Sequence, residues 1–360
     1  MNPPVFDGFS DTYEVLKNPV VCTLDDEKRC GVLRQNNSFS EYSRIHYSPK
    51  IATKVPKPPE GPVKHLAGRH MFGGWLRPHF GHFLMEGTPC LWALDDLPNE
   101  IESLVFIPFG RSNPRVVRKK YQAFLDLVTG GKDVTIADTP MSVDELVVPE
   151  PGFGHGHRIE GSNRYREYFR ERIAANVPAE GPKRLYISRT ALPDKRGGIF
   201  GEELVEELMQ ANGYTVFHPQ HHGAAVQLAH YRAAEEIVAL DGSALHMAAY
   251  AIRPGTRVGI IFRRRADFLE GLVRQLKVFA DAEVYGFDAL RNCWIGQDAR
   301  RVDYASIGEL DMPRLFKMLR GRGFVKDCTL MREFGKTDID DAVAALDRGP
   351  MRPIPMKPAA

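Results

Sequence analysis

Short apolar runs alternate with amphipathic stretches along the C-terminal half of the chain. Arg184-Leu-Tyr-Ile-Ser-Arg189 reads as a buried strand that stops at a serine and an arginine. A basic, glycine-containing loop follows, Asp194-Lys-Arg-Gly-Gly198. From Glu202 to Ala211 the apolar residues recur at helical spacing, and Gly213 stands in the usual place for a helix end. Tyr214–Phe217 is a second strand, Ala224 to Glu235 a second helix, Glu236–Leu240 a third strand and Arg257–Phe262 a fourth. Strands and helices alternating at this spacing predict parallel βαβ units. Ligands of such sheets bind at the carboxyl ends of the strands. The polar residues at those ends are Ser188, Arg189, Asp241, Ser243 and His246.

The N-terminal half carries a second α/β pattern. Val20–Leu24 and Gly31–Leu33 are strand candidates in a turn-rich beginning, and a proline-rich connector runs from Ile51 to Pro62. A helix is predicted from near His79 to about Leu94, kinked or divided at Pro89. At helical periodicity His79, His82 and Glu86 fall within roughly 60° of one another, beside an apolar arc of Phe80, Phe83, Leu84 and Leu91. Strands follow at Ser103–Phe109, Val134–Ala137 and Glu145–Val148, and helices at Val116–Val128 and from Ser162 to Asn176. The stretch Val177-Pro-Ala-Glu-Gly-Pro182 is the clearest linker. Domains are therefore expected at 1–177 and 183–347, with 348–360 a proline-containing, disordered tail. Within the second domain a basic helix is expected over Arg263–Val278, a strand over Ala282–Gly286, and helices at Met312–Arg320 and Ile339–Leu346.

Composition narrows the classes. The 360 residues are 43% hydrophobic, ample for two packed cores. Formal net charge is +2, so nothing global marks a nucleic-acid-binding protein. No apolar run is long enough to span a bilayer, and the first residues lack the basic start and apolar middle of a signal peptide. A cytoplasmic location is expected. The five cysteines are scattered, with no Cys-x-x-Cys, which fits a reduced protein without structural zinc.

Three groups of residues carry candidate chemistry. Asp241-Gly-Ser-Ala-Leu-His246 follows a strand and opens a helix. Free N–H groups at such a place suit a phosphate, with Gly242 allowing close approach and Ser243 and Ala244 at the first turn. A plain turn capped by Ser243 explains the same residues. Arg189, Lys195 and Arg196 put cations at the end of the preceding strand, as a diphosphate requires; a solvated basic loop paired with Glu202 and Glu203 is the alternative. His79, His82 and Glu86 could share a metal, but the pattern is not His-Glu-x-x-His, and no further ligand is evident. A general base, Glu86 or His82, ranks above a metal, and a hydrogen-bonded polar stripe competes with both. His155 and His157 sit among glycines in a candidate mobile loop. No Gly-x-Gly-x-x-Gly or Gly-x-Ser-x-Gly is present, and Gly335-Lys-Thr lacks the P-loop's earlier glycine, where Leu330 stands.

Taken together, three pieces resemble glycosyltransferase family 61. Phe80-Gly-His-Phe-Leu-Met-Glu-Gly-Thr-Pro89 matches its aromatic-x-His-aromatic-Leu-x-(Asp/Glu)-x-x-Pro helix. Tyr186-Ile-Ser-Arg189 with Arg196 matches its Ile-Ser-Arg strand end, although Gly201-Glu202 stands for the usual Asn-Glu. Leu240-Asp-Gly-Ser-Ala-Leu-His246 matches its glycine-containing turn, with Asp241 where animal and plant members often carry His. The resemblance spans roughly residues 65 to 265.

It implies a GT-B architecture, two facing Rossmann-like domains with a cleft between them. It also implies sugar transfer from a nucleotide donor, with inversion and without an essential metal or resident cofactor. The expected partners are a nucleotide-diphosphate sugar, a UDP-sugar foremost, and a glycan or lipid-linked glycan acceptor of capsule, lipopolysaccharide or exopolysaccharide biosynthesis. Nucleic acid is not among them, and peripheral contact with the inner membrane is compatible. On this reading Glu86 takes the acceptor proton and His82 assists or exchanges roles with it. Ser188, Arg189, Arg196, Gly242, Ser243, Ala244 and His246 bind the donor. Two alternatives stand beside it: a catalytically silent sugar- or nucleotide-binding partner in an assembly complex, and a metal hydrolase built on His79, His82 and Glu86.

Overall fold

A thirteen-residue strand, β6, organises the first part of the molecule. The computed structural model describes residues 8–97, 99–110, 112–264, 268–326 and 333–356. The chain divides into two units, Met1–Val177 and Pro178–Ala360. In the first, β1 (Tyr13–Lys17), β2 (Val20–Cys22) and β3 (Gly31–Leu33) precede a small hairpin of β4 (His46–Ser48) and β5 (Ile51–Ala52). Then come β6 (Lys64–Leu76), α1 (Phe80–Glu86), β7 (Ser103–Pro108), α2 (Pro114–Thr129), β8 (Asp133–Ile136), β9 (Met141–Pro149) and α3 (Asn163–Asn176). The sheet order is β3-β2-β9-β6-β7-β8, with β1 also on β9. Strands β9, β6, β7 and β8 are parallel, while β1 and β2 join antiparallel. Phe72, Trp75, Val105, Ile107, Val143, Leu146 and Val148 fill the core.

Strand β6 escapes the sequence pattern for a physical reason. Its first half is largely exposed and its second half, His70 to Leu76, is buried throughout, so no period-2 alternation exists. The helices obey their caps. Ser162 Oγ accepts from the Tyr165 amide at 3.1 Å at the start of α3. Helix α1 departs from expectation: it stops at Glu86, and Leu91–Asp95 is a separate 3-10 turn. Pro89 can donate no amide hydrogen bond, and the Thr88 hydroxyl donates instead to the Leu84 carbonyl at 2.7 Å.

The second unit begins with β10 (Arg184–Ile187), β11 (Gly198–Ile199), α4 (Glu202–Ala211), β12 (Thr215–Phe217), α5 (Ala224–Ala233), β13 (Glu236–Leu240) and α6 (Ser243–Ala249). It continues with β14 (Arg257–Ile261), α7 (Phe268–Arg274), β15 (Glu283–Phe287), β16 (Leu290–Gly296), β17 (Ile307–Leu310), α8 (Met312–Gly321), α9 (Lys336–Ala345) and β18 (Met351–Pro355). Five strands form an all-parallel sheet in the order β12-β10-β13-β14-β15. The chain starts at β10, steps to one side for β12, then returns to the other side for β13. The strand order reverses between β10 and β13, which is where a doubly wound sheet opens a ligand crevice. Helix α4 turns Val205, Leu208 and Met209 onto the core, where they meet Tyr186, Val238 and Ile261.

Two expectations change here. Arg263–Val278 is not one basic helix: α7 is short, it runs into a π-turn at Gln275–Phe279, and Arg263 and Arg264 fold back onto Asp241. Part of the expected disordered tail is a strand: β18 pairs antiparallel with β16 in a second sheet, β11-β17-β16-β18. Its prolines, Pro353 and Pro355, are tolerated because β18 is an edge strand. No helix among the described residues is long and apolar enough to cross a membrane.

Candidate active site

Each unit holds a polar cluster built on the motif residues. In the first, β6 carries a bulge at Gly74, whose φ of +101° a side chain rarely adopts. A Cβ there would collide with the Glu86 carbonyl, so the glycine lets the end of α1 lie against β6. Helix α1 sets His82 and Glu86 one turn apart, and the His82 Nδ1 hydrogen bonds to Glu86 Oε1 at 2.8 Å. The loop after β9 brings His155, whose Nε2 reaches the same oxygen at 3.0 Å. Arg77, at the end of β6, places Nε 3.2 Å from Glu86 Oε2. That pair attracts but is not aligned as a hydrogen bond, so Oε2 remains an open acceptor.

The Glu86 side chain is 0% exposed and that of His82 is 39% exposed. Burial pushes the Glu86 carboxyl upward, but the hydrogen bonds from His155 and His82 and the Arg77 charge outweigh it, holding the pKa below the usual carboxylate value. Glu86 also borders a cavity of about 30 Å³, enough for one or two waters and too small for a sugar ring. Beside that cavity, burial and the charges of Arg158 and Arg44 bring the His46 pKa down to about 4. His79 caps α1 on the exposed side and stacks edge-on to His82 at 5.3 Å. His82, Glu86 and His155 have ligand atoms within 4.8 Å of one another and could hold an ion. Arg77 opposes that, since its charge already lies against Glu86.

In the second unit the cluster lies at the switch point. Arg189 leaves β10 with its amide donating to Glu202 Oε1 at 2.8 Å, which locks the strand end to the start of α4. This gives the Glu of the matching motif a structural role. Gly201 before it sits at φ +69°, the left-handed region that glycine or asparagine accepts. The Arg189 guanidinium donates to the Arg196 carbonyl at 2.6 Å and to the Gly197 carbonyl at 3.1 Å. Its Nη1 also lies against Gly242: a Cβ on that glycine would be 2.8 Å away. Burial, then the Arg263 charge, lower the Arg189 pKa to about 10.

Asp241 closes the cluster from below and is 0% exposed. Its Oδ2 accepts from the Arg263 amide at 3.0 Å, its Oδ1 from Arg264 Nε at 3.2 Å, and its carbonyl from Arg263 Nε at 3.0 Å. Arg263 is 2% exposed and Arg264 is 8% exposed. Two guanidinium groups therefore pair with one buried aspartate, and the Arg189 charge lies close enough to be affected by both of them. Glu202, also buried, is no strong counter-charge, because burial raises its pKa to about 7.

The expected donor residues divide on these positions. Arg189, Gly242, Ser243 and Ala244 come together at the carboxyl ends of β10 and β13, the last three half-buried. Ser188 is buried, and its hydroxyl is engaged by Glu206 and Thr190. Arg196 is exposed and meets Arg189 through its carbonyl. His246 is half-buried and turns its Nδ1 to Gln275 Oε1 at 2.5 Å. Sequence reasoning missed Arg263, Arg264 and Arg77, because nothing local distinguishes a buried arginine from a solvated one. His155 left a faint trace, a histidine set among glycines.

The fold and the switch-point cluster define an α/β protein with buried arginines at the carboxyl ends of the parallel strands of its second unit. The family model for Glycosyltransferase 61 matches residues 80–259, which is 180 of 360 residues. The matched stretch runs from α1 into β14 and contains both polar clusters except Arg77, which precedes it, and Arg263 and Arg264, which follow it. The chain belongs to glycosyltransferase family 61, and membership carries glycosyltransferase activity, between a sugar donor and a glycan acceptor. No curated protein matches the chain.

Proposed function

We propose that the protein is an inverting, metal-independent glycosyltransferase of GT-B type. It moves a sugar from a nucleotide-diphosphate donor, a UDP-sugar foremost, to a hydroxyl of a glycan or lipid-linked glycan. Capsule, lipopolysaccharide and exopolysaccharide intermediates in the cytoplasm are the acceptors this reading favours. The observation that carries it is the gathering of the Arg189, Arg263 and Arg264 charges at the switch point, where Arg263 and Arg264 pair with the buried Asp241. The Arg189 guanidinium is held by the carbonyls of Arg196 and Gly197 and burial lowers its pKa to about 10, so a diphosphate beside it offsets the cost of that buried charge. Fixed guanidinium groups then stabilise the departing diphosphate as a metal would.

In this reading the donor's phosphates lie against Gly242, Ser243 and Ala244, with Arg189 closest and Arg196 at the exposed rim. Ser188 and His246 act through their neighbours, Glu206 and Gln275, by holding the crevice in shape. His82 is the base and Glu86 its orienting partner. The Nδ1–H of His82 donates to Glu86, which leaves Nε2 as a proton acceptor on the more exposed side chain. A carboxylate held below its usual pKa is a weak base and a good anchor for imidazolium. The acceptor hydroxyl gives its proton to Nε2 and its oxygen bonds to the anomeric carbon. The bond from that carbon to the diphosphate oxygen breaks on the opposite face, and its electron pair leaves with the phosphate.

His82→Ala is expected to lower transfer by about 100-fold or more while donor binding is kept. Initial rates and donor titration on the same variant check this, and a variant that transfers normally removes His82 from the role.

A further inference from the structure

Beyond residue 259, where the family match ends, the chain adds a segment to this crevice. Arg263 donates Nη1 to the carbonyls of Tyr304, at 3.1 Å, and Ser306, at 3.2 Å. A Cβ on Gly197 would stand 2.7 Å from Arg263 Nη1 and 2.8 Å from the Tyr304 carbonyl. Gly197 is also the residue whose carbonyl accepts from Arg189. The Tyr304 backbone is thus packed against the loop that holds the Arg189 guanidinium.

The segment is braced on both sides of the tyrosine. The Asp303 amide donates to Ser306 Oγ at 2.8 Å, the Ala305 amide to Asp303 Oδ1 at 2.8 Å, and Arg348 Nη1 to the Ala305 carbonyl at 2.7 Å. Yet Tyr304 itself is 60% exposed, the most exposed of the large apolar or aromatic side chains among the described residues of this unit. A ring on a fixed backbone loses little freedom when something stacks on it. A single exposed tyrosine is otherwise unremarkable on a surface. Its fixed backbone, next to the cations of the crevice, distinguishes this one.

We propose that Tyr304 is the stacking platform for the nucleobase of the donor, which makes it a residue for base recognition outside the segment shared with the family. The proposal rests on the donor site described above. Every nucleobase has a π-face, so stacking adds affinity for the nucleoside and none for the phosphates.

The test uses the full chain, titrated with uridine diphosphate, guanosine diphosphate and inorganic pyrophosphate. Tyr304→Ala is expected to weaken the nucleoside diphosphates roughly tenfold or more and leave pyrophosphate unchanged, while Tyr304→Phe and Tyr304→Trp keep wild-type affinity. Unchanged nucleoside diphosphate affinity in the alanine variant overturns the stacking role. So does an equal loss for pyrophosphate, which points to a collapsed loop. If the wild-type chain binds no nucleoside diphosphate, the donor-site reading fails first and this one with it.

Discussion

Glu202 is a buried carboxyl whose pKa is raised, to about 7, by burial above all. A group with a raised folded pKa favours the fold in its protonated form. That contribution is fully present below the ordinary carboxylate range and is lost as pH rises through about 7. Glu202→Gln keeps an acceptor oxygen for the Arg189 amide and the Tyr186 hydroxyl while removing the titration. The wild type should therefore lose stability between pH 5 and 8 by on the order of 2–3 kcal/mol more than the glutamine variant. Chemical unfolding of both proteins across that range measures the difference, and parallel curves contradict it. At this scale the sequence was informative where a residue closes a strand or opens a helix, as for Arg189 and Ser243. It was silent where role depends on a distant partner. His155 matters because the chain folds it onto Glu86, 69 positions away, and Asp241 because two arginines from the next strand's end reach it.

The elements of the parallel sheet were legible because each is a short apolar run bounded by turn residues. The second sheet was not, since β11 has two residues and β18 carries prolines. The loop between β13 and α6 was legible as a turn from strand to helix, and the structure explains its glycine. Gly242 has an extended φ of 174°, so no backbone strain demands glycine. Space does, because a Cβ there would stand 2.8 Å from Arg189 Nη1. Gly242→Ala should therefore fold with a stability change of about 1 kcal/mol or less, since only the far end of a flexible side chain must move. Displacing that guanidinium should weaken nucleoside diphosphate binding about tenfold. A thermal melt and a titration on the same sample separate the two effects, and intact affinity would mean that the arginine does not touch the donor.

Over the whole molecule, a net charge of +2 hides a concentration of arginine at one crevice, so composition could exclude partner classes but could not find the site. The linker after Val177 was legible from its prolines and glycine, and the units divide there. The most direct test of the account is calorimetric titration of the whole protein with uridine diphosphate in a chelating buffer, with Arg189→Ala alongside. The account predicts binding without any divalent ion and a loss of at least tenfold in the variant. Binding that requires a divalent ion, or an affinity unchanged by removing Arg189, contradicts it.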